Sequence, residues 1–267
     1  MSNRQEAVLR ELNLYPLWQR RGVAATLSPS PVNTPPPAGR GHGVRGGGGV
    51  RAGAGEGEID DSRFPHPHTN LPLAREEAAR INGLGWPELK AMVRDCTACK
   101  LRAGCTQTVF GVGDEQADWL FVGEGPGADE DAQGEPFVGQ AGKLLDNMLA
   151  AIQLKRGHSV YITNIVKCCP PGNRTPHADE IAQCLPYLER QIRLMQPKLI
   201  VALGKVAATA LLGRDVTLDS LRGKPHDYHG MPLIITYHPA YLLRAPLEKS
   251  GAWQDLCLAV ETMRGLG

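Results

Sequence analysis

Six of the seven cysteines fall in two segments of the chain, with spacing that suits metal binding. Cys96 and Cys99 form a Cys-x2-Cys pair after a helix-like stretch, and Cys168 and Cys184 follow with fifteen residues between them. Four thiolates from two segments can close one site, and such a half-site serves both zinc and iron–sulfur clusters. The spacing predicts a metal or cluster site, with four unrelated buried cysteines as the alternative. Cys169 could replace Cys168 as ligand.

Residues suited to recognition also stand where short apolar runs end. The runs are β-rich and bounded by Gly, Pro, Asn or His, as buried parallel strands are. The segments that follow them are Gly123–Gly127, Thr163-Asn164, Gly204-Lys205 and Tyr237–Pro239. Ligands of parallel sheets bind outside the carboxyl ends of the strands. The pattern therefore predicts one binding site formed by these segments.

Helical patterns separate the predicted strands. The strands are predicted at 119–122, 160–162, 199–203 and 233–235, and the helices at 141–152, 178–195 and 206–212. Strands that alternate with helices indicate βαβ units, in which helices cover both faces of a parallel sheet. The pattern predicts an α/β fold.

Composition divides the chain into three parts. Residues 22–58 contain 11 Gly and 5 Pro among 37 residues and offer almost nothing large to bury. We therefore predict a disordered linker over 22–80, between a short amphipathic segment at 1–21 and a folded domain at 81–267. The segment 1–21 could hold a protein partner or dock on its own domain.

Charge and hydropathy exclude some classes of protein. The 29 basic and 28 acidic side chains give a formal net charge of +1, so the chain is not a polycation. A nucleic acid would have to be met by a local basic patch and by helix N-termini. No window approaches the roughly 18 apolar residues of a membrane-spanning helix, and the N-terminus does not resemble a secretory signal. We expect a soluble, cytoplasmic, monomeric protein.

Several motifs in order resemble the family-4 iron–sulfur uracil-DNA glycosylases. They are Gly123-Glu124-Gly125-Pro126-Gly127, Pro136-Phe137-Val138-Gly139, Thr163-Asn164-Ile165-Val166-Lys167-Cys168 and His238-Pro239-Ala240. The resemblance runs from about Cys96 to Leu258. It implies a three-layer α/β/α fold with a four-stranded parallel sheet. It also implies removal of uracil from single- or double-stranded DNA as the first step of base excision repair.

The resemblance assigns the cysteines to a [4Fe–4S] cluster. Its ligand motifs fall on Cys96, Cys99, Cys168 and Cys184. Cys105 and Cys169 stand where arginine is expected in relatives, so two positive charges are missing beside the cluster. We retain Cys168 as ligand because it holds the family position after Lys167.

The resemblance also gives roles to residues at the strand ends. The backbone of Gly123 and Gly125 shapes the uracil pocket, Phe137 stacks on the base and Asn164 reads its edge. His238 donates a hydrogen bond to uracil O2 as negative charge develops there. Each of these side chains could instead be structural, as a core ring, a turn amide or a strand-end histidine.

Carboxylates and a DNA-facing helix complete the expected site. We expect Glu130 to orient the water, with Glu124 second and more important for the shape of the pocket. Glu130 could instead be an acidic residue favoured at a helix N-terminus. Leu243 could enter the gap left by the flipped base while Arg244 contacts the DNA backbone, unless the segment is an ordinary helix start.

Other functions remain open at this point. A noncatalytic or covalent uracil-DNA binding protein of the same superfamily is one alternative, although no basic insertion occurs between Gly139 and Leu144. A binding module associated with a DNA polymerase is another, and a zinc-stabilised nucleotide hydrolase is a third. Release of free uracil separates an enzyme from a binding module.

Overall fold

The structure is a computed structural model that describes residues 79–215 and 217–266. The predicted segment 1–21 and all but the last two residues of the predicted linker 22–80 lie outside the described residues.

A mixed sheet forms the centre of the described part of the chain. Its strands are β1 (Val112–Gly113), β2 (Trp119–Gly123), β3 (Val160–Asn164), β4 (Leu199–Leu203), β5 (His226–Tyr228) and β6 (Met231–Thr236). They lie in the order β1-β3-β2-β4-β6-β5, and the four inner strands are parallel. The predicted four-stranded parallel sheet is thus confirmed as the centre of a larger one.

The predicted strand count was too low because two short strands cap the edges. β1 pairs antiparallel with β3, and β5 pairs antiparallel with β6. Strands of two or three residues are too short to show an alternating pattern in the sequence. They occupy the hydrogen-bonding groups that the outer parallel strands would otherwise expose.

Helices cover both faces of this sheet. They are α1 (Trp86–Arg94), α2 (Ala128–Gln133), α3 (Gln140–Ala151), α4 (Ala178–Met195), α5 (Lys205–Leu212), α6 (Leu218–Leu221), α7 (Pro239–Arg244) and α8 (Lys249–Arg264). The three predicted helices correspond to α3, α4 and α5, with bounds that differ by at most one residue.

Alternate side chains of the strands point into two separate cores. Leu120 and Val122 of β2 pack with apolar residues of α1, α4 and α5. Phe121, between them in the sequence, packs on the other face with residues of α3 and α8. Successive side chains of a strand point to opposite faces of the sheet, and helices pack on each face. This arrangement gives the three layers of the predicted α/β/α fold.

The register of the sheet aligns the strand ends. Gly123 of β2 lies opposite Asn164 of β3, and Leu203 of β4 lies opposite Thr236 of β6. The segments that follow all four parallel strands therefore leave the sheet at the same edge. Among the described residues, no helix combines the length and apolar character needed to cross a membrane.

Candidate active site

A cleft of about 790 Å³ opens at the carboxyl ends of the parallel strands. Segments after each of the four inner strands line it, as do α7 and the loop before α4. The predicted site residues in its wall are Glu124, Gly125, Glu130, Phe137, Asn164, His238 and Arg244. The structure thus brings together residues that lie up to 120 positions apart in the sequence, counting from Glu124 to Arg244 (244 − 124).

Asn164 lies at the end of β3 with an unused acceptor. Its side chain is buried, with 1% relative exposure, and it contributes to the wall of the cleft. Its Oδ1 has no hydrogen-bond partner among the described residues. Buried acceptors are nearly always paired, because an unpaired one costs roughly 1–3 kcal/mol. The amide oxygen is therefore available to a donor that enters the cleft.

Phe137 lies next to this amide in an unusual backbone conformation. Its φ of 55° falls in the left-handed region that residues other than glycine rarely adopt. Its ring is 6% exposed and lies 5.5 Å from the His238 ring, measured between centroids. A Cβ at Gly123 would come within 2.5 Å of the Phe137 ring and would also collide with the Asn164 amide. Gly123 therefore lets the ring and the amide approach each other.

His238 is fixed as a neutral imidazole at the start of α7. Its Nδ1 accepts a hydrogen bond of 3.2 Å from the backbone N–H of Ala240. Burial, together with the nearby positive charge of Arg244, lowers the pKa of His238 to about 4. With Nδ1 as acceptor, the single proton resides on Nε2. The ring can thus donate from Nε2 at neutral pH.

Glu130 organises the turns around the cleft. Its Oε2 accepts from the N–H of Gly127, and its Oε1 accepts from the N–H groups of Val138 and Gly139. A carboxylate oxygen has two lone pairs, so Oε1 is fully occupied and one lone pair of Oε2 remains. This carboxylate therefore closes the N-terminus of α2 and fixes the segment after Phe137.

Glu124 presents the other carboxyl group in the cleft wall. Burial raises the pKa of the Glu124 carboxyl, while a hydrogen bond from Thr175 acts in the opposite direction. Sequence reasoning missed Thr175 because it lies in an irregular loop, although the Pro- and Gly-rich turn after a strand end was a usable signal.

The loop that carries Thr175 is anchored to the start of α4. Arg174, in the cleft wall, donates to both carboxylate oxygens of Glu180, at 2.8 and 2.7 Å. The Arg174 guanidinium, together with the backbone N–H of His177, lowers the pKa of Glu180 to about 2. This ion pair joins one wall of the cleft to the helix that also bears Cys184.

The expected DNA-contacting residues lie on α7. Arg244 lines the cleft, whereas Leu243 is 45% exposed and is not part of the cleft wall. Leu247, three residues beyond the end of α7 at Arg244, is 89% exposed. Sequence reasoning missed Leu247, because a single leucine in a three-residue 3-10 helix forms no periodic pattern. A basic side chain thus lies in the cleft wall, and the apolar side chain that precedes it in the sequence is exposed.

All four predicted cluster ligands line a second, small apolar cavity. The cavity lies between α1 and α4 and is lined by Cys96, Cys99, Cys168 and Cys184, while Cys169 is not part of its wall. The Cys169 thiol instead contacts the side chain of Asn173 at 3.5 Å. The described residues hold no group of three or more His, Cys, Asp or Glu side chains that could bind a single metal ion.

Burial makes the thiols of this cavity hard to deprotonate. Burial raises the pKa of the Cys184 thiol to about 12 and also raises the pKa of Cys168. Thiols in such surroundings become thiolates only when a positively charged group binds them. The backbone N–H of Lys167 donates to Cys184 Sγ, and the Tyr187 hydroxyl donates to Cys96 Sγ. Hydrogen bonds of this kind to sulfur accompany iron–sulfur clusters.

Comparison with known proteins agrees with this architecture. A family model described as Uracil DNA glycosylase superfamily matches residues 110–258. Type-4 uracil-DNA glycosylase of Pyrobaculum aerophilum is 41% identical over 64% of this chain and 91% of its own length. The type-4 enzyme of Archaeoglobus fulgidus is 44% identical over 58% of this chain and 81% of its own length. The type-4 enzyme of Thermotoga maritima is 46% identical over 57% of this chain and 80% of its own length. The chain therefore belongs to the uracil-DNA glycosylase superfamily, and within it to the type-4 group.

Proposed function

We propose that this protein hydrolyses the N-glycosidic bond of deoxyuridine in DNA, which releases uracil and leaves an abasic site. The observation that carries the proposal is the unpaired Oδ1 of Asn164, buried in the wall of the cleft. A pocket with a buried unpaired acceptor rejects ligands that cannot donate to it. Family membership and the type-4 relatives support the same activity.

Uracil fits the polar pattern of this pocket. Its N3–H donates to Asn164 Oδ1, and its O4 accepts from the amide nitrogen of the same side chain. Cytosine presents an acceptor and a donor at these two positions, so binding it would leave buried groups unpaired. The Phe137 ring supplies a face on which the extruded base stacks.

The chemistry of bond cleavage requires charge stabilisation on both sides of the bond. Neutral His238 donates from Nε2 to uracil O2 as negative charge develops on the departing base. The carboxylates of Glu124 and Glu130 oppose the positive charge on the sugar and orient the attacking water. Glu124 takes the larger share in orienting the water, since Glu130 already accepts three backbone N–H groups.

A [4Fe–4S] cluster held by Cys96, Cys99, Cys168 and Cys184 fits the second cavity. The four thiols line one apolar space, and burial raises the pKa of three of them, Cys99, Cys168 and Cys184. When bound, the cluster would link the segment after α1, which carries Cys96 and Cys99, to the segment after β3 and to α4. Cys168 rather than Cys169 is the ligand because its side chain lines the cavity.

DNA approaches from the open side of the cleft. Arg244 contributes positive charge to the cleft wall, whereas Arg174 and Lys205 in the same wall are ion-paired with Glu180 and Asp215. Arg244 contacts a DNA phosphate, and Leu243 fills the gap that the flipped base leaves.

The proposal is tested by incubating the purified protein with uracil-containing single-stranded and duplex oligonucleotides. Free uracil is measured directly, and abasic sites are revealed by alkaline cleavage. We expect release of uracil from both substrates and none from cytosine controls. Binding of the uracil-containing strand without release of uracil would identify a binding module and overturn the proposal.

A further inference from the structure

An arginine outside the cleft holds the backbone of the predicted stacking residue. Arg156, in the turn between α3 and β3, donates from Nη1 to the carbonyl of Pro136 and from Nη2 to the carbonyl of Phe137, each at 2.8 Å. Arg156 itself does not line the cleft. Its planar fork thus binds two successive carbonyls, a geometry that the single ammonium group of lysine cannot reproduce.

The guanidinium is itself held in place. Arg156 Nε and Nη2 donate to Asp146 Oδ1 on α3, at 3.1 and 2.9 Å. The Arg156 side chain is 21% exposed, so solvent screens its interactions less than those of a surface arginine. Four hydrogen bonds therefore fix one side chain against both the loop and the helix.

Phe137 is consequently held from both sides. Arg156 binds the carbonyls of Pro136 and Phe137, while Glu130 binds the N–H groups of Val138 and Gly139. Arg156 and Glu130 thus hydrogen-bond to the backbone on both sides of Phe137, whose φ is 55°. Strained conformations of this kind persist only where the surroundings impose them.

The backbone of α3 packs directly against the loop that carries Phe137. A Cβ at Gly142 in α3 would collide with the Phe137 carbonyl, so the loop and the helix backbone are in direct contact. The ring is then fixed above Gly123 and 5.5 Å from the His238 ring. A small rotation of the Phe137 backbone would move the ring relative to the uracil site.

We propose that Arg156 is a positioning residue that sets the Phe137 ring for stacking on uracil and thereby sets the affinity of the pocket for the base. The inference rests on the proposed function, because it assumes that the base stacked on Phe137 is uracil. Arg156 does not touch the base and acts through the two carbonyls.

Binding of free uracil, followed by isothermal titration calorimetry, measures this affinity without catalysis. Phe137→Ala should raise the Kd roughly 5–150-fold, the range for loss of one base–aromatic stack. Arg156→Met should raise the Kd by about fivefold or more, within the same range. In excision assays the KM for a uracil-containing single strand should rise more than kcat falls. Lys155→Met is the matched control, since it removes a charge from the same turn.

A double-mutant cycle separates positioning from a general structural effect. If Arg156 acts through Phe137, the variant with both Phe137→Ala and Arg156→Met should bind uracil no more weakly than Phe137→Ala alone. Should Arg156→Met fail to fold, Arg156→Lys keeps the charge and tests the fork, with the same increase in Kd expected. Unchanged uracil affinity in a folded Arg156 variant, full additivity, or an equal effect of Lys155→Met would overturn the inference. Wild-type protein that binds uracil but releases none from DNA would refute the proposed function only.

Discussion

Replacing Asn164 by alanine should separate stability from function. In the free protein the substitution removes a buried acceptor that has no partner, which relieves roughly 1–3 kcal/mol. It also leaves a small cavity beside Phe137 and Gly123, whose cost is of similar size and opposite sign. We therefore expect the free energy of unfolding to stay within about 1 kcal/mol of wild type.

Excision should respond differently, because uracil N3–H and O4 would then be buried without partners. Two unpaired groups on the bound uracil cost roughly 2–6 kcal/mol. In addition, uracil binding no longer pairs a buried acceptor of the free protein, because alanine lacks that acceptor. A net loss of about 3 kcal/mol corresponds to roughly 10²-fold in kcat/KM. The assays are denaturant unfolding and uracil release from a single-stranded oligonucleotide.

Thr163→Ala is the matched control on the same strand. The Thr163 hydroxyl donates to the Phe110 carbonyl at 2.9 Å and accepts from Lys167 Nζ at 2.7 Å, so its hydrogen bonds are satisfied. Its loss should lower the free energy of unfolding by about 1–3 kcal/mol, with excision by the folded protein close to wild type. A large loss of stability in Asn164→Ala together with wild-type excision would refute the reasoning.

Three further predictions concern the histidine, the cysteines and the N-terminal region. His238→Ala should slow single-turnover excision roughly 10²–10³-fold with little change in DNA binding. The wild-type rate should show no inflection at the ordinary histidine pKa of about 6.5, because the pKa of His238 is about 4 and the ring stays neutral as the pH falls from 8 to 5. A step in the rate near pH 6.5 that His238→Ala abolishes would contradict this prediction. Iron analysis should find about four irons per chain in wild type and in Cys169→Ser but not in Cys168→Ser, and the reverse result would move the ligand to Cys169. A protein that begins near residue 79 should still release uracil from short oligonucleotides, since the described residues that line the cleft lie between Glu124 and Glu248. Loss of activity with an intact fold would show that the preceding residues take part.

The sequence was sufficient for the parallel centre of the fold and for the meeting of its strand ends. Buried parallel strands are continuous apolar runs, and the segments after them share one edge because parallel strands point the same way. Asn164 and His238 could therefore be assigned to one site from the sequence alone, before any distance between them was known. The edge strands β1 and β5 could not be predicted, because two or three residues carry no periodicity.

What the sequence could not supply were contacts between side chains and backbone of distant segments. Glu130 is an acidic residue in the first turn of α2, so its sequence position fits either a free catalytic carboxylate or a helix-end charge. Its acceptance of the Val138 and Gly139 N–H groups depends on how the next turn folds back. For the same reason, no pattern linked Arg156 to the Phe137 carbonyl nineteen residues earlier.

A buried lysine, Lys167, connects the cysteine-lined cavity with the end of β3 at the cleft. The backbone N–H of Lys167 donates to Cys184 Sγ, while its side-chain Nζ donates to the Asn164 carbonyl at 2.9 Å and to Gln191 Oε1 at 2.7 Å. Gln191 in turn donates to the Phe110 carbonyl next to β1. A cluster bound by the cysteines would thus fix the backbone of Asn164, the residue proposed to read the base, without contact between cluster and DNA. Loss of the cluster should therefore weaken the proposed recognition of uracil before it changes the position of His238, because His238 follows β6 and not β3.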